Sequence, residues 1–346
     1  MALLPPTMHG EDEDMNGCAV ETEVLVKAVG VACRAPSLHN TQPWRWAIDG
    51  DTVHLFLDKT RVLYSTDRSG REALLACGAV LDHFRVAMAA AGWAADVDRY
   101  PDPNDTTHLA TFRFTPLEPL TDVHGRRADA IMIRRTDRLP FSAPADWGAV
   151  EQLLHQTITS DAVHLDVIAD ELRPELVEAS RLTESLRFYD SSYHEELQWW
   201  TAPFAATQGI PRNELPTAAE GDRVDIGRRF PMPLDERDRR RTYGTDRSKV
   251  VVLSTRDSDR ASVLECGEML SAVLLEATVA GLATCTLSHV TELAASREVV
   301  ACLIGRATTP QLLIRVGSAP AIEQHPPATP RRPLSEVLEV RNSSRH

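Results

Sequence analysis

Two stretches of the chain carry apolar residues at alternating steps of three and four: Leu74, Cys77, Leu81, Phe84, Met88 and Ala91, then Val263, Cys266, Leu270, Val273, Ala277 and Ala280. That spacing predicts one buried stripe along each of two helices. Leu75-Ala76-Cys77-Gly78-Ala79-Val80-Leu81 reappears in outline as Leu264-Glu265-Cys266-Gly267-Glu268-Met269-Leu270, and Cys77/Cys266, Gly78/Gly267 and Gly92/Gly281 are each 189 positions apart. A constant, gap-free offset predicts an internal repeat. Gly92 and Gly281 suit the C-terminal stop of each helix, where the backbone turns left-handed.

β-branched, apolar runs of strand length predict strands at Val53 to Leu57, Leu109 to Phe114, Val163 to Ile168, Val250 to Ser254 and Leu312 to Val316, and strand character also follows each repeat helix. The mixture predicts an α+β fold of two related halves, 21–122 and 123–346, joined by the Pro-containing stretch Thr115 to Gly125. Residues 1–20 are acidic and lack hydrophobic periodicity, which predicts a disordered tail. Residues 193–248 interrupt the second half before its repeat helix. With Trp199, Trp200, Phe204 and the charged run Asp235 to Arg241, they predict a lid or binding loop.

Charge narrows the partners. A formal net charge of -13 over 346 residues argues against a general nucleic-acid binder and against adsorption to an anionic membrane, and favours small-molecule partners. Six scattered cysteines without a Cys-x-x-Cys pair or a signal-peptide pattern predict reduced thiols in the cytoplasm. The apolar windows Leu74 to Ala95 and Leu270 to Leu287 are interrupted by Asp82, His83 and Arg85, and by Glu276, so neither is expected to span a membrane. His194-Glu195-Glu196 lacks a second histidine four residues beyond the first, and no Walker or Gly-x-Gly-x-x-Gly loop occurs; no metal site is expected.

The candidate chemistry starts at Ala35-Pro36-Ser37-Leu38-His39-Asn40-Thr41-Gln42-Pro43-Trp44-Arg45-Trp46. Ser37 and Asn40 offer short hydrogen-bonding arms between two prolines that restrict the backbone, a loop suited to ring edges or phosphate oxygens. A plain turn has the same composition. Further on stand Ile133-Arg134-Arg135-Thr136-Asp137-Arg138-Leu139-Pro140-Phe141, Gly281-Leu282-Ala283-Thr284-Cys285-Thr286-Leu287-Ser288-His289 and Pro330-Arg331-Arg332-Pro333-Leu334.

Together these four segments resemble the motifs of the FMN-dependent nitroreductase-like proteins, and the duplication resembles the Acg-type branch, over nearly all of the chain after residue 20. The resemblance implies a nitroreductase-like α+β fold in which one chain imitates a homodimer. It implies cofactor contacts from Ser37, Asn40, Gln42, Pro43, Trp44, Arg45 and Trp46, and an FMN phosphate held by Arg134 and Thr136. Arg138 is expected at the pyrimidine side of the ring and Leu287 and Ser288 near its N5. Arg332, with its neighbour Arg331, is expected to return to the phosphate. His289 is a candidate proton donor or a structural hydrogen-bonder, and Cys285 is expected in the core. The first half carries the Ser37/Asn40 loop and the second the arginines, which implies one FMN per chain in a monomer resembling a dimer. Two functions follow from the resemblance: an NAD(P)H-dependent reductase of nitro compounds or quinones, and a flavin-sequestering protein whose lid excludes substrates.

Overall fold

The computed structural model of the chain describes residues 19–119, 121–202, 207–231, 238–240, 244–319 and 328–341. The expected tail up to Cys18, the lid residue Phe204, and Asp235, Glu236, Arg237 and Arg241 of the charged run lie outside the described residues.

The first half runs α1 (Thr22–Ala32), β1 (Trp44–Asp49), β2 (Thr52–Leu57), α2 (Arg71–Ala90), β3 (Trp93–Arg99) and β4 (His108–Pro116). The chain continues through α3 (Asp122–Ile133), α4 (Trp147–Thr157), β5 (Val163–Ile168), α5 (Arg173–Arg187), α6 (Ser191–Trp200) and α7 (Ala218–Gly221). It ends with β6 (Lys249–Thr255), α8 (Arg260–Val279), β7 (Ala283–Leu287), α9 (His289–Glu292), α10 (Ala294–Ile304), β8 (Thr309–Gly317), α11 (Leu334–Val337) and β9 (Leu338–Arg341).

The repeat helices α2 and α8 start and stop 189 residues apart, as their sequence offset requires. Asp67 Oδ1 and Oδ2 accept from the free backbone N–H groups of Glu72 and Ala73 at the start of α2, and Asp259 accepts from Ser262 N at the start of α8. Past their ends, Gly92 and Gly281 take φ of +85° and +74°. The two helices cross at Gly78 and Gly267. A Cβ on Gly78 would lie 2.0 Å from Leu264 O, and one on Gly267 2.2 Å from Leu75 O, so only glycine permits this approach. One turn further, Ser271 Oγ donates to Asp82 Oδ2 at 2.6 Å, between residues again 189 apart.

Each half carries a four-stranded antiparallel arrangement in the same order: β3-β4-β2-β1 in the first, β7-β8-β6-β5 in the second. All five strands expected from the sequence are present at their positions, and β3 and β7 follow the two helix-stopping glycines. The C-terminal arm then crosses back and adds β9 parallel to β1, so the first sheet has a fifth strand from the far end of the chain. One continuous apolar core runs from Leu25, Trp44 and Leu55 through α2 to Leu264, Val251 and Ile314. Among the described residues α2 is the one helix long and apolar enough to cross a membrane, and most of it is buried in this core.

Trp44 to Trp46 depart from the expectation. They form the start of β1 rather than the end of a ligand loop, because Trp44 and Trp46 alternate inward and are buried, with Trp46 against Phe84 and Phe112.

Candidate functional site

The Pro36 to Pro43 loop leaves α1 and reaches β1 through three non-glycine residues in left-handed backbone, His39 (φ 49°), Asn40 (φ 59°) and Gln42 (φ 53°). Each such residue costs on the order of 1 kcal/mol or more, and persists only where its surroundings fix it. Here they do. Ser37 Oγ accepts from Gln42 N at 3.0 Å, while Asn40 Nδ2 donates to Gly209 O and to Pro330 O, both at 3.0 Å. Gln42 Nε2 donates to Thr207 O at 3.0 Å, and Gln42 Oε1 accepts from Arg332 N at 2.9 Å. The loop is clamped between the 193–248 insertion and the C-terminal arm.

Behind it lies a cavity of about 470 Å³ with walls from both halves. The first half contributes Ser37, His39 and, from one face of α2, Glu72, Leu75 and Ala76; the second contributes Leu287 and Ser288 at the end of β7. A smaller recess of about 60 Å³ opens beside it and shares Pro36, Ser37, Thr136, Arg138 and Ile210 with it.

The recess is strongly cationic. Arg34, Arg134, Arg135, Arg138 and Arg331 line it, against one carboxylate among the described residues, Glu214. Arg331 is anchored by donation to the carbonyls of Cys33 (3.1 Å), Arg34 (3.0 Å) and Ala35 (3.3 Å). Burial pushes its pKa down to about 9, and the Arg34 and Arg134 guanidiniums add to that; burial and Arg34 push Arg134 down to about 10. Both shifts express uncompensated positive charge out of water, which an anion would relieve. Arg34 Nε, Arg134 Nε and Arg138 Nη1 are buried without a hydrogen-bond partner among the described residues, as is Asn40 Oδ1. Buried donors of this kind are normally satisfied. A phosphate monoester in the recess would match the three guanidinium donors in charge and donor type.

Part of the insertion forms the outer wall. Ile210, Pro216, Val224, Arg228 and Phe230 line the large cavity, and Phe230 packs its ring edge-on to His39 with the Arg138 guanidinium 5.3 Å over its face. Arg228 is buried and fastens this wall: it pairs with Glu292 of α9 and donates to Tyr193 OH of α6 at 2.7 Å. A second fastening centres on Asp246, which accepts from Arg315 Nη2 (2.7 Å), Arg173 Nη2 (2.8 Å), Ser248 Oγ (2.5 Å) and Phe141 N (2.7 Å). Arg173 also grips Asp225 in the wall at 2.7 Å. Of the two tryptophans expected to pack the insertion, Trp200 is half-buried with Arg61 stacked on it, whereas Trp199 is exposed.

The structure thus brings together Ser37, Asn40, Arg134, Thr136, Arg138, Leu287, Ser288 and Arg331. Thr136 is held at the edge of the second sheet by a bridge to Thr284. Other expected contacts lie elsewhere. Gln42 and Pro43 belong to the loop but line neither space: Gln42 is held by Thr207 and Arg332, and Pro43 O accepts from Asp58 N; Trp44 and Trp46 are core, and Arg45 points to solvent. Arg332 turns away from the recess toward Asp58 (3.7 Å) and Glu336 (3.4 Å), so its neighbour Arg331 is the one that enters. His289 lines the cavity, but burial and Arg228 hold its pKa down at about 3, and its Nε2 sits 2.9 Å from Ser180 Oγ. Cys285 also lines the cavity, with burial raising its thiol pKa. Sequence reasoning missed Arg34, Glu72, Arg228 and Phe230. Arg34 abuts the Ala35 to Trp46 motif and was within reach of it; the others are single residues without a pattern around them.

No family model matches the chain. A Mycobacterium tuberculosis protein named "Putative NAD(P)H nitroreductase acg" is 64% identical over 322 residues, 93% of this chain and 97% of that protein. Another from the same organism, "Putative NAD(P)H nitroreductase Rv3131", is 37% identical over 331 residues, 94% of each. A solved structure of an FMN and NADPH-dependent nitroreductase from Sphigopyxis sp. strain HMH is similar over 62% of this chain and 99% of its own, with 16% identity and a TM-score of 0.40.

Proposed function

The chain belongs to the nitroreductase family, in the Acg branch, and from that premise we propose that it holds one FMN and acts as an NAD(P)H-dependent reductase of nitro compounds or quinones. The observation that carries this reading is the joined pair of spaces: an arginine recess the size of a phosphate group, opening into a larger cavity suited to a planar ring. Arg134, Arg331 and Arg34 hold the phosphate, with Thr136 adding a hydroxyl. Arg138 faces the ring edge on which negative charge builds up during reduction, and Ser37, Leu287 and Ser288 fix the ring in the plane, with Asn40 beside the phosphate end in the recess. FMN, when bound, supplies a ring that accepts a hydride and passes it on. The chain's part is to orient that ring, balance its charge and exclude water beneath the wall fastened by Arg228.

The same reading makes the chain an intramolecular imitation of a dimer, with halves at 21–122 and 123–346, the wall segment 193–248 as a lid and a cytoplasmic location. The shared 189-residue offset, the matching strand orders and the Gly78/Gly267 crossing support it. Support for one flavin rather than two comes from the position 189 residues before Ser288. Arg99 stands there, locked by two bonds of 2.8 and 2.7 Å to the buried carboxylate of Glu268.

The test is anaerobic mixing of the FMN-loaded protein with NADH or NADPH while the visible flavin absorbance is followed, then addition of a nitroaromatic acceptor. Bleaching and reoxidation are expected. Flavin that stays oxidised under excess of both donors would overturn the reductase reading in favour of sequestration.

A further inference from the structure

We propose that Glu72 is the proton donor of the cavity, the carboxyl that protonates an electrophile as it takes up a hydride; this rests on the reductase reading above. Glu72 belongs to the first turn of α2, one turn before Leu75 and Ala76, and its side chain shares their face and lines the same cavity. It is 7% exposed, so protons reach it through the cavity rather than from open solvent.

Its surroundings hold the proton and also prepare for its loss. Arg71 pairs with one Glu72 oxygen and is itself pinned by donation to Gln311 Oε1 at 3.2 Å and to Thr291 O at 3.3 Å. Asp67 faces Glu72 from the preceding turn, Glu292 from α9, Arg228 from the cavity wall and Arg297 from α10. Burial raises the Glu72 pKa to about 7; Asp67 and Glu292 add to the rise, and Arg71 and Arg228 oppose it. A carboxyl poised there is half protonated near neutral pH, the condition under which a general acid works best.

Four other ionisable groups of the cavity are less suited. His39 and His289 are held neutral by burial and by Arg228, so neither carries a spare proton at neutral pH. Glu184 is only half-buried, with burial raising its pKa and the Arg229 guanidinium at 3.2 Å opposing the rise, and Asp225 is gripped by Arg173.

The step balances. When a quinone is reduced by two electrons and one proton delivered as a hydride, which bound FMN would supply, the O–H bond of Glu72 breaks and a new O–H bond forms on the quinone oxygen, leaving the hydroquinone. A nitro group takes one hydride and one proton, loses its N–O bond and gives a nitroso group and water. The carboxylate left on Glu72 is stabilised by Arg71 and Arg228 until solvent reprotonates it.

The experiment uses the FMN-loaded protein, reduced chemically and mixed anaerobically with benzoquinone from about pH 5 to about pH 9. Wild type is expected to slow as pH rises through an apparent pKa near 7. E72Q is expected to lose roughly 100-fold in reoxidation rate together with the pH step, and E72D to keep the step at a lower rate. FMN retention by both variants checks that they fold. Independently, infrared titration of the same protein should show a protonated-carboxyl band that disappears near pH 7 and is missing in E72Q. E72Q that retains FMN and reoxidises like wild type, or a band unchanged by E72Q, would overturn the role of Glu72 and leave the reductase reading standing. Wild type that binds no FMN would overturn both.

Discussion

Replacing Gly78 with alanine tests the packing that brings the two walls of the cavity together. The added Cβ would lie 2.0 Å from Leu264 O, 2.8 Å from Gly267 Cα and 2.9 Å from Glu268 N, all backbone atoms of α8. Side-chain carbons do not approach backbone oxygen within about 3 Å, so α2 and α8 must separate by roughly 1 Å at the crossing. No rotamer change absorbs this. Overpacking a core costs about 1 to 3 kcal/mol when side chains can yield; here two helices must move, and the cost is expected at about 3 kcal/mol or above. For a chain of this size that is a fall in melting temperature on the order of 5 °C or more. The same movement displaces Glu72, Leu75 and Ala76 from Leu270 across the cavity, so flavin retention falls with stability. Urea titration of wild type and G78A, with bound flavin measured in parallel, gives both quantities. A loss below about 1 kcal/mol with full flavin retention would refute the close-crossing argument.

Other predictions follow from single side chains. E292Q leaves buried Arg228 without its counter-charge and is expected to cost about 3 to 5 kcal/mol and to speed FMN dissociation; unchanged stability and release rate by fluorescence would contradict the fastening role. Burial alone would raise the Asp246 pKa, but Arg315 and its hydrogen bonds hold it below 3.8, so its contribution is present above that value and is lost as pH falls through the lowered one. Acid unfolding of wild type should therefore be steepest below about pH 4, and D246N, lacking that titration, should be less stable at neutral pH and flatter in acid. R332A, which among the described residues breaks the side-chain contacts to Asp58 and Glu336, is expected to leave FMN affinity within about threefold of wild type, measured by quenching of flavin fluorescence.

The sequence made the framework legible wherever a period or an offset repeated. The apolar stripes at 74–91 and 263–280 place α2 and α8, and the Gly92 and Gly281 stops hold because both take positive φ. What a one-dimensional pattern cannot carry is the direction of a side chain at a site. Arg331 and Arg332 are adjacent, yet one folds back on the carbonyls of residues 33–35 and the other reaches Asp58 on the opposite side. In the same way Trp44 and Trp46 continue a ligand-type motif but alternate into the core, since β1 starts where the loop was expected to go on. Glu72 and Arg228 had no signal: one is a carboxylate opening an apolar helix, the other an arginine in a segment rich in arginines. Their roles appear only when α2, α9 and the wall are seen to share one cavity.

Recognition of the FMN phosphate by the arginine recess is measured by equilibrium binding of FMN and of riboflavin, which lacks the phosphate, to wild type, R331A and R134A. Wild type is expected to prefer FMN by at least about 100-fold, from charge-assisted bonds of about 1.5 to 3 kcal/mol each, and each variant to lose at least about tenfold of that preference. Equal affinity of wild type for the two flavins, or an FMN preference untouched in both variants, would contradict it.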